Sequence, residues 1–274
     1  MTLAGKVALV TGGAGGLGRG ITQALVAAGA DVVICDINEA ALADAERELA
    51  AQGANCLALR CDVSSSEQVE RMFEQVAARF GTLHVLVNNA ALVPNRPDDE
   101  LRRKRHYDYL TTPVPRQSLG ITSGISDEDW HRYWGVNVHG VFYCTRAALR
   151  LMEPQGYGRI VNIASIAAIS SYSAHSPHYS ATKGAVVAFT RAVALDVAGA
   201  NILVNAVAPG GVSTPDFEAY WARASEEERN RFNQLVPLGR LGSIAEYASL
   251  VVYLAGDGHY LVGQVISPNG GLVI

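Results

Sequence analysis

The sequence predicts an α/β fold, a single Rossmann-like doubly wound domain in which helices flank a parallel central sheet. Apolar runs of strand length alternate with helical patterns along the chain, and such repeats join parallel strands through right-handed crossovers. The strand runs are apolar almost without interruption, as expected when both faces of a sheet are buried. The composition does not change along the chain and no linker interrupts it, so we predict one domain over residues 1–274.

The strands follow from these apolar runs in chain order. They are KVALVT (6–11), DVVICD (31–36), NCLALR (55–60), LHVLVN (83–88), RIVNIA (159–164) and ILVNAV (202–207). A serine followed three positions later by an acidic residue fits a helix N-cap. Such pairs are Ser64 with Glu67, Ser126 with Asp129 and Ser243 with Glu246. Glycines stand where helices should end, at Gly29, Gly53 and Gly81.

One segment interrupts the alternation of strands and helices. Between Asn89 and Ser126 the sequence shows no convincing strand–helix unit, but it holds four of the ten prolines and the basic run RRKR at 102–105. Connections of this length are usually functional or mobile. Because the segment follows the fourth strand, it must emerge at the carboxyl edge of the sheet, where such folds bind ligands. We therefore predict an insertion at about residues 94–124 on the active-site side.

Composition excludes several classes of function. The net charge of −4 gives no reason to expect nucleic acid or an anionic membrane surface as a partner. No apolar run approaches the roughly 18 residues of a membrane-spanning helix, and the first strand begins too early for a signal peptide. The four cysteines show no CxxC pair and no metal-like spacing with histidine. We expect free thiols, a cytoplasmic protein and no metal.

A glycine-rich turn follows the first strand. Gly13, Gly15 and Gly18 in TGGAGGLGRGI fit the G-x-G-x-x-G pattern, although a purely structural turn would also use glycine. The predicted helix begins near Gly16, and its free N–H groups suit a pyrophosphate. Asp36 ends the second strand, 18 residues after Gly18, where an acid binds the adenosine ribose. A carboxylate repels a 2′-phosphate, and neither Ile37 nor Gly15 supplies a cation, so NAD is favoured over NADP.

A second pattern combines a phenol with an ammonium. Tyr179 and Lys183 lie four residues apart in the apolar stretch SPHYSATKGAVVAFTRAVAL, so they share one helix face. A nearby ammonium favours the phenolate, which suits proton exchange with an alcohol or carbonyl oxygen. An isolated Tyr-x-x-x-Lys usually reflects packing. Ser165 changes this interpretation, because it follows a buried strand at the carboxyl edge of the sheet.

These motifs occur in an order that resembles the short-chain dehydrogenase/reductase family over essentially the whole chain. The loop TGGAGGLG matches the family's TGxxxGxG at Thr11, Gly12, Gly16 and Gly18. CDV at 61–63 matches its adenine-binding turn, and NNAA at 88–91 resembles its NNAG with Ala91 in place of glycine. NAVAPGGVSTP resembles the segment that lines the nicotinamide, and SPNGG at 267–271 resembles the C-terminal DGG.

The resemblance implies a role for each candidate residue. Tyr179 would be the general acid/base, Ser165 would orient the substrate oxygen, and Lys183 would lower the pKa of the tyrosine and hold the nicotinamide ribose. Asn137 would position a proton-relay water. The cofactor would be held by Gly12, Gly16, Leu17, Gly18, Asp36, Asp62, Val63, Asn89, Tyr179, Lys183, Pro209, Gly210, Val212 and Thr214. The spacing from Ser165 to Tyr179 is one residue longer than usual, which a bulge in SSYSAHSP would absorb.

The implied activity is reversible hydride transfer between a secondary alcohol and NAD in a homotetramer. Two alternatives stay open. One is a 3-oxoacyl-type ketoreductase, against which Asp36 counts because such enzymes usually take NADPH. The other is an NAD-binding sensor or scaffold without turnover, against which the complete set of serine, tyrosine and lysine counts.

The substrate side is less defined. A lid at about residues 214–238 offers Phe217, Tyr220 and Trp221, and His175 and His178 flank the tyrosine as possible substrate contacts. The insertion is either a solvated excursion whose RRKR faces water or a cover over the substrate. The apolar candidates for a cover are Leu92, Val93, Tyr107, Tyr109 and Leu110. The basic run would suit a substrate carboxylate or phosphate, although Asp98, Asp99 and Glu100 beside it weaken that interpretation.

Overall fold

A computed structural model describes residues 2–274 and contains a seven-stranded parallel sheet in the order β3-β2-β1-β4-β5-β6-β9. The strands are β1 (Val7–Thr11), β2 (Asp31–Asp36), β3 (Cys56–Arg60), β4 (Val85–Asn88), β5 (Gly158–Ile163), β6 (Ile202–Val207) and β9 (Val265–Ile266). Two further strands, β7 (Val212–Ser213) and β8 (Gly242–Ser243), form a small parallel pair. The predicted doubly wound α/β fold is confirmed.

Ten helices surround or cap this sheet in the part of the chain that the structure describes. They are α1 (Gly16–Ala27), α2 (Glu39–Ala51), α3 (Ser66–Phe80), α4 (Pro97–Thr111), α5 (Asp127–Trp134), α6 (Gly140–Gln155), α7 (Pro177–Val197), α8 (Pro215–Arg223), α9 (Glu226–Leu235) and α10 (Ile244–Ala255). Apolar side chains of α1, α2 and α10 pack on one face of the sheet, and those of α3, α6 and α7 pack on the other. The strands are therefore covered on both sides, which explains their continuous apolar runs.

The position of the site follows from the strand order. From β1 the chain moves outward to β2 and β3, then returns to pair β4 with the opposite edge of β1. Such a reversal opens a crevice at the carboxyl ends of the two central strands, and ligands of doubly wound folds bind there. The glycine turn after β1 and Asn89 after β4 both face this crevice.

Most local predictions agree with the structure. The six predicted strands are present with ends shifted by at most two residues. Gly29, Gly53 and Gly81 follow their helices with positive φ, and the Ser126 and Ser243 side chains cap α5 and α10. The predicted cap at Ser64 is wrong by one position. Ser65 caps α3 by accepting from Gln68 N, while the Ser64 hydroxyl donates to Asp62 at 2.7 Å.

The main error concerns the insertion, where the sequence indicated no helix and the structure forms α4. Its sequence, PDDELRRKRHYDYLT, has too few apolar residues to show a helical period. The helix is instead favoured at its start by Pro97 in the first turn and by three acids near the positive end of the helix dipole. The Asp99 carboxylate also accepts from the Arg96 backbone N–H at 3.1 Å.

The seventh strand, β9, and the small β7–β8 pair were also not predicted, because two-residue strands are too short to show a pattern. None of the helices between residues 2 and 274 combines the length and apolar character needed to cross a lipid bilayer.

Candidate active site

A cavity of about 910 Å³ opens at the carboxyl edge of the sheet. All fourteen residues predicted to bind the cofactor line it, from the glycine turn to Thr214, and so does Ser165. Asn137 does not. The structure therefore brings together, in one cavity, side chains that lie up to 202 residues apart between Gly12 and Thr214.

The glycine turn can approach a phosphate only because its residues lack side chains. Gly12 and Gly16 have positive φ values of 62° and 49°. A Cβ on Gly18 would lie 2.0 Å from the carbonyl oxygen of Gly12 and 2.5 Å from Asn89 Nδ2. The first turn of α1 has no side-chain cap at Gly15, and Gly16, Leu17 and Gly18 of that turn line the cavity. This cradle fits the pyrophosphate of a dinucleotide.

The turn is held in place by the end of β4. The amide Nδ2 of Asn89 donates to the carbonyl oxygens of Thr11 and Gly12 at 3.0 and 3.1 Å. The Thr11 hydroxyl accepts from the backbone N–H groups of Asn89 and Ala90, both at 3.0 Å. Thr11 and Asn89 therefore act as a clamp between the two central strands, and no sequence signal had assigned this function to Thr11.

At the adenosine end, Asp36 and Asp62 face the cavity. Asp36 Oδ1 accepts from the Asn38 backbone N–H at 3.1 Å, which leaves its second oxygen for a ribose hydroxyl. Arg60, its register partner on β3, is directed elsewhere, because its Nε lies 2.9 Å from Glu39. Asp62 is oriented by the backbone and hydroxyl of Ser64 at 2.9 and 2.7 Å.

The part of the cavity that holds the candidate proton-transfer residues contains Ser165, which follows β5, and Tyr179 and Lys183 in the first turns of α7. Burial raises the pKa of Tyr179, and a hydrogen bond with the Ser165 side chain offsets this only in part. Burial also lowers the pKa of Lys183 to about 8. Lys183 Nζ donates to the Ile163 carbonyl oxygen at 2.7 Å and lies 5.8 Å from the centre of the Tyr179 ring.

This geometry differs from the expected effect of Lys183 on Tyr179. The pKa of Tyr179 lies above its ordinary value instead of below it. Burial destabilises the phenolate by more than the hydrogen bond with Ser165 stabilises it. Lys183 is buried and bonded to backbone, so its own charge is also disfavoured. The sequence spacing places both groups on one face, but their burial decides their proton affinities.

Asn137 lies in a π-helical turn, Gly135–His139, between α5 and α6. Its amide oxygen accepts from the Leu92 N–H at 2.7 Å, and its nitrogen donates to the Leu92 carbonyl and to the Thr182 hydroxyl at 3.0 and 3.1 Å. The side-chain amide therefore joins Leu92 to α7. Both of its N–H groups are used, whereas its oxygen accepts one hydrogen bond and keeps a second lone pair. The predicted role of Asn137 in positioning a water stays a prediction.

The extra residue between Ser165 and Tyr179 does not form a bulge. Two short 3₁₀ turns, Ile166–Ala168 and Ser171–Ser173, occupy this connection. The first is stabilised by the Ser165 oxygen, which accepts from the Ala167 N–H at 3.1 Å. The longer spacing is thus accommodated without displacing Ser165 from Tyr179.

The substrate end of the cavity is formed by the predicted lid and by the insertion. Phe217 and Tyr220 of α8 line it, whereas Trp221 does not. Among the candidates for a cover, Leu92, Val93 and Tyr107 line the cavity. Tyr109 and Leu110 point elsewhere: the Tyr109 hydroxyl accepts from Gln117 N at 3.2 Å, and Leu110 is 47% exposed.

Ion pairs connect the insertion to the lid. Lys104 of α4 lies 2.9 Å from Glu228 of α9, and Asp108 lies 3.3 Å from Arg231. The RRKR run does not simply face water, because Arg102 pairs with the buried Asp99 and Arg103 lines the cavity. Neither the helix nor these long-range pairs could be read from local sequence patterns.

The two histidines have different environments. His178 is fully buried, edge-on to the Tyr133 ring at 4.3 Å, and does not line the cavity. His175 does line it, and burial together with the charges of Arg103 and Arg102 lowers its pKa to about 3. His175 is therefore neutral, and only this histidine is placed to touch a substrate.

Comparison with known proteins agrees with this geometry. A family model described as short chain dehydrogenase matches residues 6–224. The 3-oxoacyl-[acyl-carrier-protein] reductase of Aquifex aeolicus is 34% identical over 98% of both chains, and that of Thermotoga maritima is 34% identical over 100% of both. A crystal structure of a putative gluconate dehydrogenase from Agrobacterium tumefaciens superposes with a TM-score of 0.85 at 28% identity, covering 99% of this chain and 97% of that one. A mutant actinorhodin polyketide ketoreductase, solved with NADPH, gives a TM-score of 0.82 at 34% identity and 97% coverage of both chains.

Proposed function

The chain belongs to the short-chain dehydrogenase family, and from that premise we propose that it is an NAD-dependent oxidoreductase that interconverts a secondary alcohol and a ketone. The observation that carries this proposal is the single cavity that holds the glycine turn, Asp36 and the Ser165–Tyr179–Lys183 group. A cavity with a dinucleotide cradle at one end and a proton-transfer group at the other suits hydride chemistry on a bound alcohol.

Each residue of the Ser165–Tyr179–Lys183 group has its own role in the proposed reaction. A bound nicotinamide supplies the hydride acceptor for oxidation and the hydride donor for reduction. Ser165 and Tyr179 hold the substrate oxygen by hydrogen bonds, and Tyr179 accepts the hydroxyl proton as the carbon–hydrogen bond gives up its electron pair. The alcohol thereby loses one proton and one hydride and becomes a ketone. In reduction, Tyr179 returns the proton to the carbonyl oxygen.

Lys183 acts on this reaction through charge and hydrogen bonding. The Lys183 ammonium uses one N–H group to donate to the Ile163 carbonyl oxygen. Its remaining N–H groups can donate to the ribose next to the nicotinamide. A positive charge beside Tyr179 stabilises the phenolate at the moment when it is needed. This contribution opposes the burial that raises the pKa of Tyr179 in the structure.

We assign NAD as the cofactor on the basis of Asp36. Its carboxylate lines the cavity, the adjacent Ile37 is 64% exposed and apolar, and Arg60 is paired with Glu39. An acid, and no unpaired cation among the described side chains beside it, supports NAD over NADP. The free thiols favour the cytoplasm, and the family resemblance favours a homotetramer.

A second candidate is a 3-oxoacyl thioester reductase. Its support is the 34% identity, over the full chain, to proteins named as 3-oxoacyl-[acyl-carrier-protein] reductases. Asp36 counts against it if that reaction uses NADPH. A sensor or scaffold that binds NAD without turnover is the third alternative, and the assembled catalytic group counts against it.

The test is a screen of purified protein with NAD and a panel of secondary alcohols, followed through NADH absorbance. Acetoacetyl-coenzyme A with NADPH provides the arm for the second candidate. Tyr179→Phe is the matched control, because it removes only the phenol oxygen; we expect turnover to fall by about a hundredfold or more while calorimetry still detects NAD binding. Turnover of Tyr179→Phe within about tenfold of the parent would refute the assignment of Tyr179. If the parent showed no turnover with any alcohol or with acetoacetyl-coenzyme A, the sensor would be favoured.

A further inference from the structure

The insertion brings polar groups into the substrate end of the cavity. Glu100, Arg103 and Tyr107 lie on one face of α4, since residues three and four apart on a helix are neighbours, and all three line the cavity. Phe217 and Tyr220 of α8 complete this end. The wall is therefore aromatic, and α4 brings two charged groups of opposite sign into it, Glu100 and Arg103.

Arg103 is the cation of this wall without an acidic partner. Its Nη2 donates to the Pro94 carbonyl oxygen, and its guanidinium carbon lies 5.5 Å from the Tyr220 ring centre. Within residues 2–274 no described carboxylate lies at ion-pairing distance from it. Its neighbours differ, because Arg102 pairs with Asp99 and Lys104 pairs with Glu228.

The other charged group in the wall is already compensated. Glu100 lies 3.8 Å from Arg223, which also lines the cavity. The Glu100–Arg223 pair is neutral as a unit, so among the described side chains Arg103 gives this end of the cavity one uncompensated positive charge. A guanidinium presents a planar set of donors that matches a carboxylate.

His175 adds a buried group beside Arg103. It is 6% exposed, its Nδ1 has no hydrogen-bond partner within the described structure, and its ring lies 5.9 Å from Tyr107 and 5.8 Å from His106. Because it stays neutral, one of its ring nitrogens carries a hydrogen and can donate. A buried polar group without a hydrogen-bond partner destabilises the protein. A ligand that forms a hydrogen bond with His175 would remove this unfavourable free energy and gain affinity.

We propose that Arg103, assisted by His175, binds a carboxylate of the substrate, so that the enzyme acts on hydroxy acids and their oxo acids. This inference rests on the proposed alcohol oxidation and names its substrate class. The hydroxyl lies at Tyr179 and Ser165, and the carboxylate lies at the α4 wall of the same cavity. A monoanion balances the single charge of Arg103, whereas a phosphate dianion would place a second negative charge near Glu100.

The test compares straight-chain secondary hydroxy acids of increasing length with their methyl esters, using the holoenzyme with NAD. We expect the parent to prefer the acid of the best length over its ester by about tenfold to a hundredfold in kcat/KM, as for a charge-assisted hydrogen bond. Arg103→Gln should remove this preference by raising KM for the acid, with kcat nearly unchanged and the ester unaffected. Arg103→Lys should retain part of it.

Arg105→Gln is the matched control, because it removes the same charge from an exposed position on the same helix. Titration of butyrate into the complex with NADH gives a readout without turnover: the parent and Arg105→Gln should bind, and Arg103→Gln should not. NADH affinity shows that each variant is folded. A parent that turns over acid and ester equally, or an Arg103→Gln variant that keeps the preference, overturns the assignment.

Two further outcomes distinguish a carboxylate from a phosphate as the ligand, and a failure of the anion site from a failure of the proposed alcohol oxidation. Faster turnover of a hydroxyalkyl phosphate than of the matching acid would overturn the choice of a carboxylate. Butyrate binding that depends on Arg103 in a protein that oxidises no alcohol would instead refute the proposed function and leave the anion site in place.

Discussion

The choice between NAD and NADP depends on one carboxylate, and Asp36→Asn tests it with little change in shape. Two unit charges 4 Å apart repel by about 1 kcal/mol in bulk water and by about 4 kcal/mol at an effective dielectric constant of 20. Asp36 is partly exposed at the cavity edge, so the penalty for a 2′-phosphate lies between these limits. At about 1.4 kcal/mol for each factor of ten, the parent should prefer NAD by roughly fivefold to several hundredfold.

The assay is kcat/KM with NAD and with NADP for the parent and the variant. Asp36→Asn should raise kcat/KM for NADP by about tenfold or more, and should lower that for NAD because a neutral amide accepts less strongly from a ribose hydroxyl. Added salt should narrow the parent's preference, since partly exposed charges are screened.

Two more variants sharpen the assay. Glu39→Gln releases Arg60 from its ion pair and should raise NADP use modestly. Asp44→Asn removes a carboxylate on α2 that pairs with Arg47 at the surface, and it should leave the ratio unchanged. The reasoning is refuted if the parent has the higher kcat/KM for NADP, or if Asp36→Asn leaves the cofactor ratio within about twofold.

Four further predictions address the cradle, the proton, the insertion and the assembly. Gly18→Ala should weaken NAD binding by about a hundredfold in calorimetry, because its Cβ would lie 2.0 Å from the Gly12 oxygen. Gly124→Ala is the control: its Cβ would have nothing within 4 Å and it lies outside the cavity, so NAD should bind normally. Equal affinities of the two variants would contradict this account of the turn. Because burial raises the pKa of Tyr179 and oxidation needs the phenolate, kcat/KM for oxidation should rise with pH from neutrality upward. Reduction needs the phenol, so its kcat/KM should stay level near neutrality and fall only as the pH approaches the raised pKa. A flat profile for oxidation would speak against Tyr179 as the proton carrier. Deleting 97–117 should leave NAD affinity nearly intact but raise substrate KM about tenfold or broaden specificity; unchanged kcat/KM across the panel, in a folded deletion variant, would reject a cover. Light scattering at micromolar concentration should give four times the chain mass, since Phe142 and Leu195 leave apolar surface exposed on α6 and α7, and a monomer would contradict the tetramer.

The sequence by itself determined the framework of this protein. Continuous apolar runs identify strands that are covered on both faces, and the alternation with helices dictates parallel pairing and right-handed crossovers. Once that is known, residues that follow strands must meet at the carboxyl edge of the sheet. This is why Gly18, Asp36, Asn89 and Ser165, read from separate motifs, line one cavity. The four-residue spacing of Tyr179 and Lys183 likewise predicts a shared helix face.

Only the tertiary structure decided the properties that depend on surroundings. The pKa of Tyr179 lies above its usual value because the effect of burial exceeds that of the hydrogen bond with Ser165. The four-residue spacing of Tyr179 and Lys183 does not predict how deeply the two side chains are buried. The amide of Asn137 is engaged by Leu92, 45 residues earlier in the chain. Helix α4 shows no apolar period. Its first turn favours the helix, and its charged side chains pair with α8 and α9. Whether Arg103 faces water or substrate depends on those distant partners, and a local pattern carries no information about them.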